Sequence, residues 1–171
     1  MHIYDLTVPQ LKHTLTNLDR WLTKAGEHAK TNGMAEDALL GSKLAPDQYS
    51  LVRQVRAATD NAKFIPGRLA GKDWPSHPDT ETTLDQLHAR IASVKSYLDT
   101  FQPADFDGAI ERTVVLPWMA KGQHLTAADY LVQFALPNFY FHVVTAYAIM
   151  RHVGVTVGKT DYIGPIAIKQ A

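Results

Sequence analysis

The chain has 171 residues, with 17 basic and 17 acidic side chains, a pI near 7.1 and no cysteine. Those figures exclude disulfides, thiolate metal sites and a cysteine nucleophile, and they leave no net charge to attract nucleic acid or anionic lipid. An apolar share of 46% in a chain this long can build a sizeable core.

The start, "MHIYDLTVPQ", has neither a basic n-region nor an apolar h-region, so no secretion signal is expected. No apolar run approaches the roughly 20 residues that span a bilayer. The expectation is a cytoplasmic protein with no nucleic-acid or membrane partner.

Apolar residues then recur at spacings of three and four in four separate seams, each of which predicts a helix burying one stripe. The first seam is Val8, Leu11, Leu15, Leu18, Leu22, Ala25 and Ala29. It predicts a helix over 8–31 with Thr7 as N-cap, Pro9 in the first turn and a stop at Gly33. A short helix is expected at 35–41. The second seam, Leu51, Val55, Ala58, Ala62, Ile65 and Leu69, predicts 47–70, with Pro66 as a late kink and Gly71 as the stop. The third, Leu84, Leu87, Ile91, Val94, Leu98 and Phe101, predicts 80–101 after the breaker-rich "WPSHPDTET". β-Branched residues on either side of "AKG" predict a small hairpin within 111–126. The fourth seam, Val132, Leu136, Phe139, Val143, Ala146, Met150 and Val153, predicts a helix over 127–153, stopped by Gly154. The tail from about 158 to 171 is expected to be irregular.

Four such helices hide their stripes against one another, so the expected fold is all-α, a four-helix bundle forming one domain over 1–171. Leu18, Val55, Ile91 and Val143 should meet in its core.

The fourth helix is apolar almost all round, yet Asn138, His142 and Thr145 draw a polar line beside its seam. Buried polar groups need partners, at a cost of roughly 1–3 kcal/mol each when left without one. Three readings follow: a structural histidine with a satisfied ring, a ligand pocket, or a metal ligand. Pro137 cannot donate to the carbonyl of Gln133 and adds an acceptor nearby. The other seven histidines fall in loops, at the terminus or beside seams. "GRLAGKD" (67–73) has the wrong spacing for a phosphate loop and ends a helix where such a loop begins one.

"HVVTAYAIMRHVGV" (142–155) is similar to the last helix of the DinB/YfiT-like superfamily. "LAPDQYSLVRQVRAATDNAK", "DTETTLDQLHARI" and "DYLVQFALPNFYFHVVTAYAIMRHVGV" resemble, more closely, the family called domain of unknown function 1993. The resemblance implies a DinB-like four-helix bundle. In the superfamily it also implies a site of three histidines holding zinc or nickel, in transferases that act with low-molecular-weight thiols. Only His142 matches a ligand. The position four residues earlier is Asn138, and the second-helix ligand falls at Ala57 or Ala58, with Asp60 and Asn61 nearby.

The expectation is therefore a bundle with a degenerate metal site and no bound metal cofactor. A candidate polar pocket of Asn138, His142, Thr145 and Asp60 would bind a small molecule, or the protein would serve as a dimeric scaffold. The alternative is a divergent metal-dependent enzyme that uses His142. A homodimer is expected from the apolar surplus on the last helix and in "YIGPIAI".

Overall fold

A computed structural model describes residues 2–169. Helix α1 runs over Ile3–Thr31, α2 over Glu36–Gly41, α3 over Leu51–Ala70 and α4 over Leu84–Leu98. The last long helix opens as α5 (Ala127–Asp129), passes through a π-helical stretch at Tyr130–Ala135 and continues as α6 (Leu136–His152). Helix α7 covers Lys159–Ile163. Strands β1 (Thr113–Val114) and β2 (Leu125–Thr126) pair antiparallel, with Thr113 opposite Thr126. The hairpin thus lies where the β-branched residues put it. Among the described residues, no helix is long and apolar enough to cross a membrane.

The architecture is a four-helix bundle. Helices α1 and α3 touch each other and both neighbours, while α4 and α6 occupy opposite corners. Leu18, Val55, Ile91 and Val143 are fully buried in one core, as the four seams require.

The helix ends depart from the sequence pattern for local reasons. Helix α1 begins four residues before Thr7, because His2 and Asp5 form a reciprocal capping box. Thr7 is fully buried and bonds the carbonyl of Ile3 at 2.7 Å. Pro66 lies inside α3 without ending it, and Gly71, at φ 67°, supplies the left-handed stop. Helix α4 starts just after Thr83, whose side chain caps the Gln86 amide, so residues 80–83 stay outside it. Phe101 is buried beyond the helix end.

Two expectations are corrected. Val132 is 66% exposed, whereas Tyr130, Leu131 and Ala135 are buried. The π stretch takes one residue more per turn than an α-helix, so the seam passes from Leu131 to Ala135 to Phe139 and leaves Val132 outside. Pro137 follows directly on the π stretch inside this continuous helix, with its ring exposed. The tail is also not irregular throughout. Helix α7 docks on α1, where Trp21 donates its indole N–H to the Asp161 carbonyl at 3.0 Å and its ring stacks on Tyr162. Asn17 donates to the Tyr162 carbonyl at 3.1 Å, and Lys24 pairs with Asp161 at 2.6 Å.

Candidate functional site

The polar line of α6 meets a second polar line on α3. Gln54 and Asn61 sit on the α3 face that carries Leu51, Ala58 and Ile65, at spacings of three and four, and that face packs on α6. Gln54 is fully buried. Its Nε2 donates to the Tyr49 carbonyl at 3.2 Å, so Oε1 is the atom turned toward α6. His142 Nδ1 lies 2.7 Å from that oxygen and must be the protonated nitrogen. His142 Nε2 is therefore left with a lone pair. A parallel relay runs one turn away. Asn61 donates to the Ala57 carbonyl at 2.8 Å, and its Oδ1 accepts from Asn138 Nδ2 at 2.8 Å. That leaves Asn138 Oδ1 without a partner in the relay.

Both relays border an open cleft of about 350 Å³, walled on its outer side by Tyr49 and Phe141. The His142 ring is half-buried and lies nearly parallel to Tyr49, 11° between planes and 6.2 Å between centroids. Gln48 also lines the cleft, and its Oε1 is buried with no hydrogen-bond partner. A larger depression of about 420 Å³ lies elsewhere, between the end of α1 and Thr156, and contains no orphaned buried polar atom.

Two expected pocket residues lie elsewhere. Thr145 is buried and bonds back to the Phe141 carbonyl at 2.6 Å, so it serves its own helix. Asp60 faces α4. It takes the Arg90 guanidinium at 2.7 Å and the Lys63 ammonium at 2.8 Å. Arg90, only 3% exposed, also binds Asp79 at 3.0 Å, Glu81 at 2.8 Å and the Thr59 hydroxyl at 2.7 Å. Arg56 meets Glu81 at 2.9 Å. Three cations and three carboxylates thus close a neutral cluster that ties the 71–83 connection to α3 and α4.

A Lys63–His77–Ser93 chain borders this cluster, with Lys63 Nζ 3.0 Å from His77 Nδ1 and Nε2 3.0 Å from Ser93 Oγ. The ammonium can only donate, so Nδ1 accepts and Nε2 carries the proton toward the serine. That polarity is opposite to what a serine nucleophile needs.

A family model described as "Domain of unknown function (DUF1993)" matches residues 3–163. The chain belongs to the DUF1993 family. The solved structure of a DinB family member protein from Shewanella denitrificans is 45% identical to it, over 99% of this chain and 96% of that one, with a TM-score of 0.94. No curated protein matches the chain.

The donor set of this DUF1993 protein does not fit a zinc or nickel centre. Among the described residues, no three His, Asp or Glu side chains are arranged to hold a metal ion. Around His142 the cleft offers amides, which are weak ligands for either ion, and one carboxylate, Asp47, so the donor set stops at two good ligands. At the α3 ligand position, Ala58 is buried in the core. Gln54 and Asn61 carry the site instead. Their signal was present in the sequence as polar residues on the second seam's own spacing, one turn on either side of Ala57 and Ala58.

Burial holds His142 below its ordinary 6.5. His77 is held down by burial first and then by Lys63 and Arg90. In both cases the unfolded chain takes up protons before the folded one does. Their contribution to stability is complete above about pH 6.5 and is lost as pH falls toward the folded-state values. The urea midpoint should therefore drop between about pH 7.5 and pH 5.5, and His142→Gln should flatten that slope. A midpoint equal at both values in the parent protein would contradict the assignment of buried, neutral rings.

Proposed function

We propose that this DUF1993 protein binds a small molecule in the cleft between Tyr49, Phe141 and the two relays. The two relays carry this reading, because they fix His142 and Asn138 side by side in the lining of one cleft, each with an acceptor left free. Side chains already held in place leave little to reorganise on binding. A fragment screen by ligand-observed NMR tests it. Hits should be lost together in Asn138→Leu and in His142→Leu. A screen with no hit that responds to either change would sink the proposal. One equivalent of zinc or nickel in freshly purified protein, lost in His142→Ala, would replace it with the metal-dependent enzyme.

Exposed apolar side chains favour a second role beside binding, that of a homodimer. Phe141 is 55% exposed and Val144 47%, one turn apart on the outward face of α6, and Trp118 and Val132 are each 66% exposed. A second copy covering that face would bury roughly 1,200–2,000 Å² in total. Light scattering at tens of micromolar should give the mass of two chains, and Val144→Asp should give one. A single-chain mass for the parent protein would dismiss the dimer.

A further inference from the structure

The geometry points to a ligand that donates hydrogen bonds and carries positive charge, with a small primary ammonium as its simplest form. This rests on the cleft being a binding site and adds the chemical class of what enters it. The two relays are polarised in the same direction. Each starts at a backbone carbonyl, of Tyr49 or Ala57, and each passes through an α3 amide to a side chain on α6. A carbonyl can only accept, so every later atom in the chain is fixed in turn. Both relays end in a lone pair at the cleft, on His142 Nε2 and Asn138 Oδ1. Asp47, also in the lining, adds a carboxylate. Against these stand the amide N–H groups of Gln48 and Asn138 and the Tyr49 hydroxyl, which can donate or accept. Asp47 is the one formally charged residue of the lining, which has no lysine or arginine. Arg53 lies close by, with its guanidinium 3.9 Å from the centroid of the Tyr49 ring, but it belongs to the neighbouring groove with Asp60.

An ammonium has three N–H donors and no acceptor, the complement of that lining. Its bonds to the carboxylate would be charge-assisted, and the exposed Phe141 ring suits both a cation and a short alkyl chain. A carboxylate ligand would meet lone pairs and a like charge at the same points.

Three probes of one shape separate the possibilities: butylammonium, butyramide and butyrate, titrated against uniformly labelled protein while the His142 and Asn138 signals are followed. Butylammonium should shift both signals saturably and bind about tenfold or more tightly than butyrate. Asn138→Leu should weaken it about tenfold, and Asp47→Asn, an exposed change that leaves the core alone, about threefold. Preferential binding of butyrate or butyramide would overturn the ammonium while leaving small-molecule binding intact. Silence from all three probes would also overturn it, and the fragment screen then decides separately whether the cleft binds anything. Saturable shifts of the same signals by zinc at stoichiometric concentration, blocking butylammonium, would overturn it in favour of a metal.

Discussion

Arg90→Leu should lower stability by about 3–5 kcal/mol, the cost of removing one partner from a buried ion-paired group and stranding the others. Arg90 is 3% exposed, and its guanidinium is shared by Asp60, Asp79, Glu81 and the Thr59 hydroxyl. Without it, the Glu81 side chain, 11% exposed, keeps only Arg56, and Asp60 keeps Lys63. The 71–83 connection would lose the polar anchors that hold it to α3 and α4. Asp79 provides the contrast. Its side chain is 60% exposed, so Asp79→Asn should cost no more than about 1 kcal/mol. Urea unfolding followed by circular dichroism measures both. An Arg90→Leu loss below about 1 kcal/mol would mean that the cluster is a solvated surface network after all.

Trp21→Ala should cost a similar amount, about 3–5 kcal/mol, and release a segment distant in sequence. The indole is 1% exposed, stacks on Tyr162 at 5.5 Å and meets Tyr147 edge-on at 5.6 Å. Its N–H holds the Asp161 carbonyl. In a chain of this size the melting point should fall by roughly 6–20 °C. Amide exchange over residues 159–163 should accelerate well before global unfolding, because α7 is short and depends on what it docks against. Trp118→Ala, at a residue 66% exposed, should stay within about 0.5 kcal/mol of the parent. Unchanged exchange at 159–163 in Trp21→Ala would show that the indole does not secure α7.

The bundle was legible because burial imposes a period. Leu11, Leu15, Leu18 and Leu22 can all face inward only on a helix, and all four are fully buried. Polar partnerships have no such period. Asn138 and His142 could be singled out as costly on an apolar helix, but nothing in one chain says which of several polar residues on α3 lies opposite. Asp60, one position from Asn61, turns about 100° away from it and serves Arg90 instead. The capping box of His2 and Asp5 was legible in principle but uses an uncommon capping residue. Helix α7 was missed because a five-residue helix has too few turns to reveal a stripe. Its stability comes from Trp21, Asn17 and Lys24, which lie more than a hundred residues earlier.

The π stretch at Tyr130–Ala135 gives the protein one place where its length can change by a residue without disturbing the site. Removing a single residue there would restore an ordinary α-helix, and Leu131 would move into the inward position that a regular helix reserves for Val132. The apolar seam would remain continuous through Ala135 and Phe139. The downstream half would stay locked on α3 by Gln54 and Asn61, so Asn138 and His142 would keep their bearing. The same deletion anywhere in Leu136–His152 would swing one half of the helix by about 100° against the other and part the two relays from their partners. Natural variation in chain length among proteins built this way should therefore concentrate before Leu136, with the helix beyond it held to a fixed count.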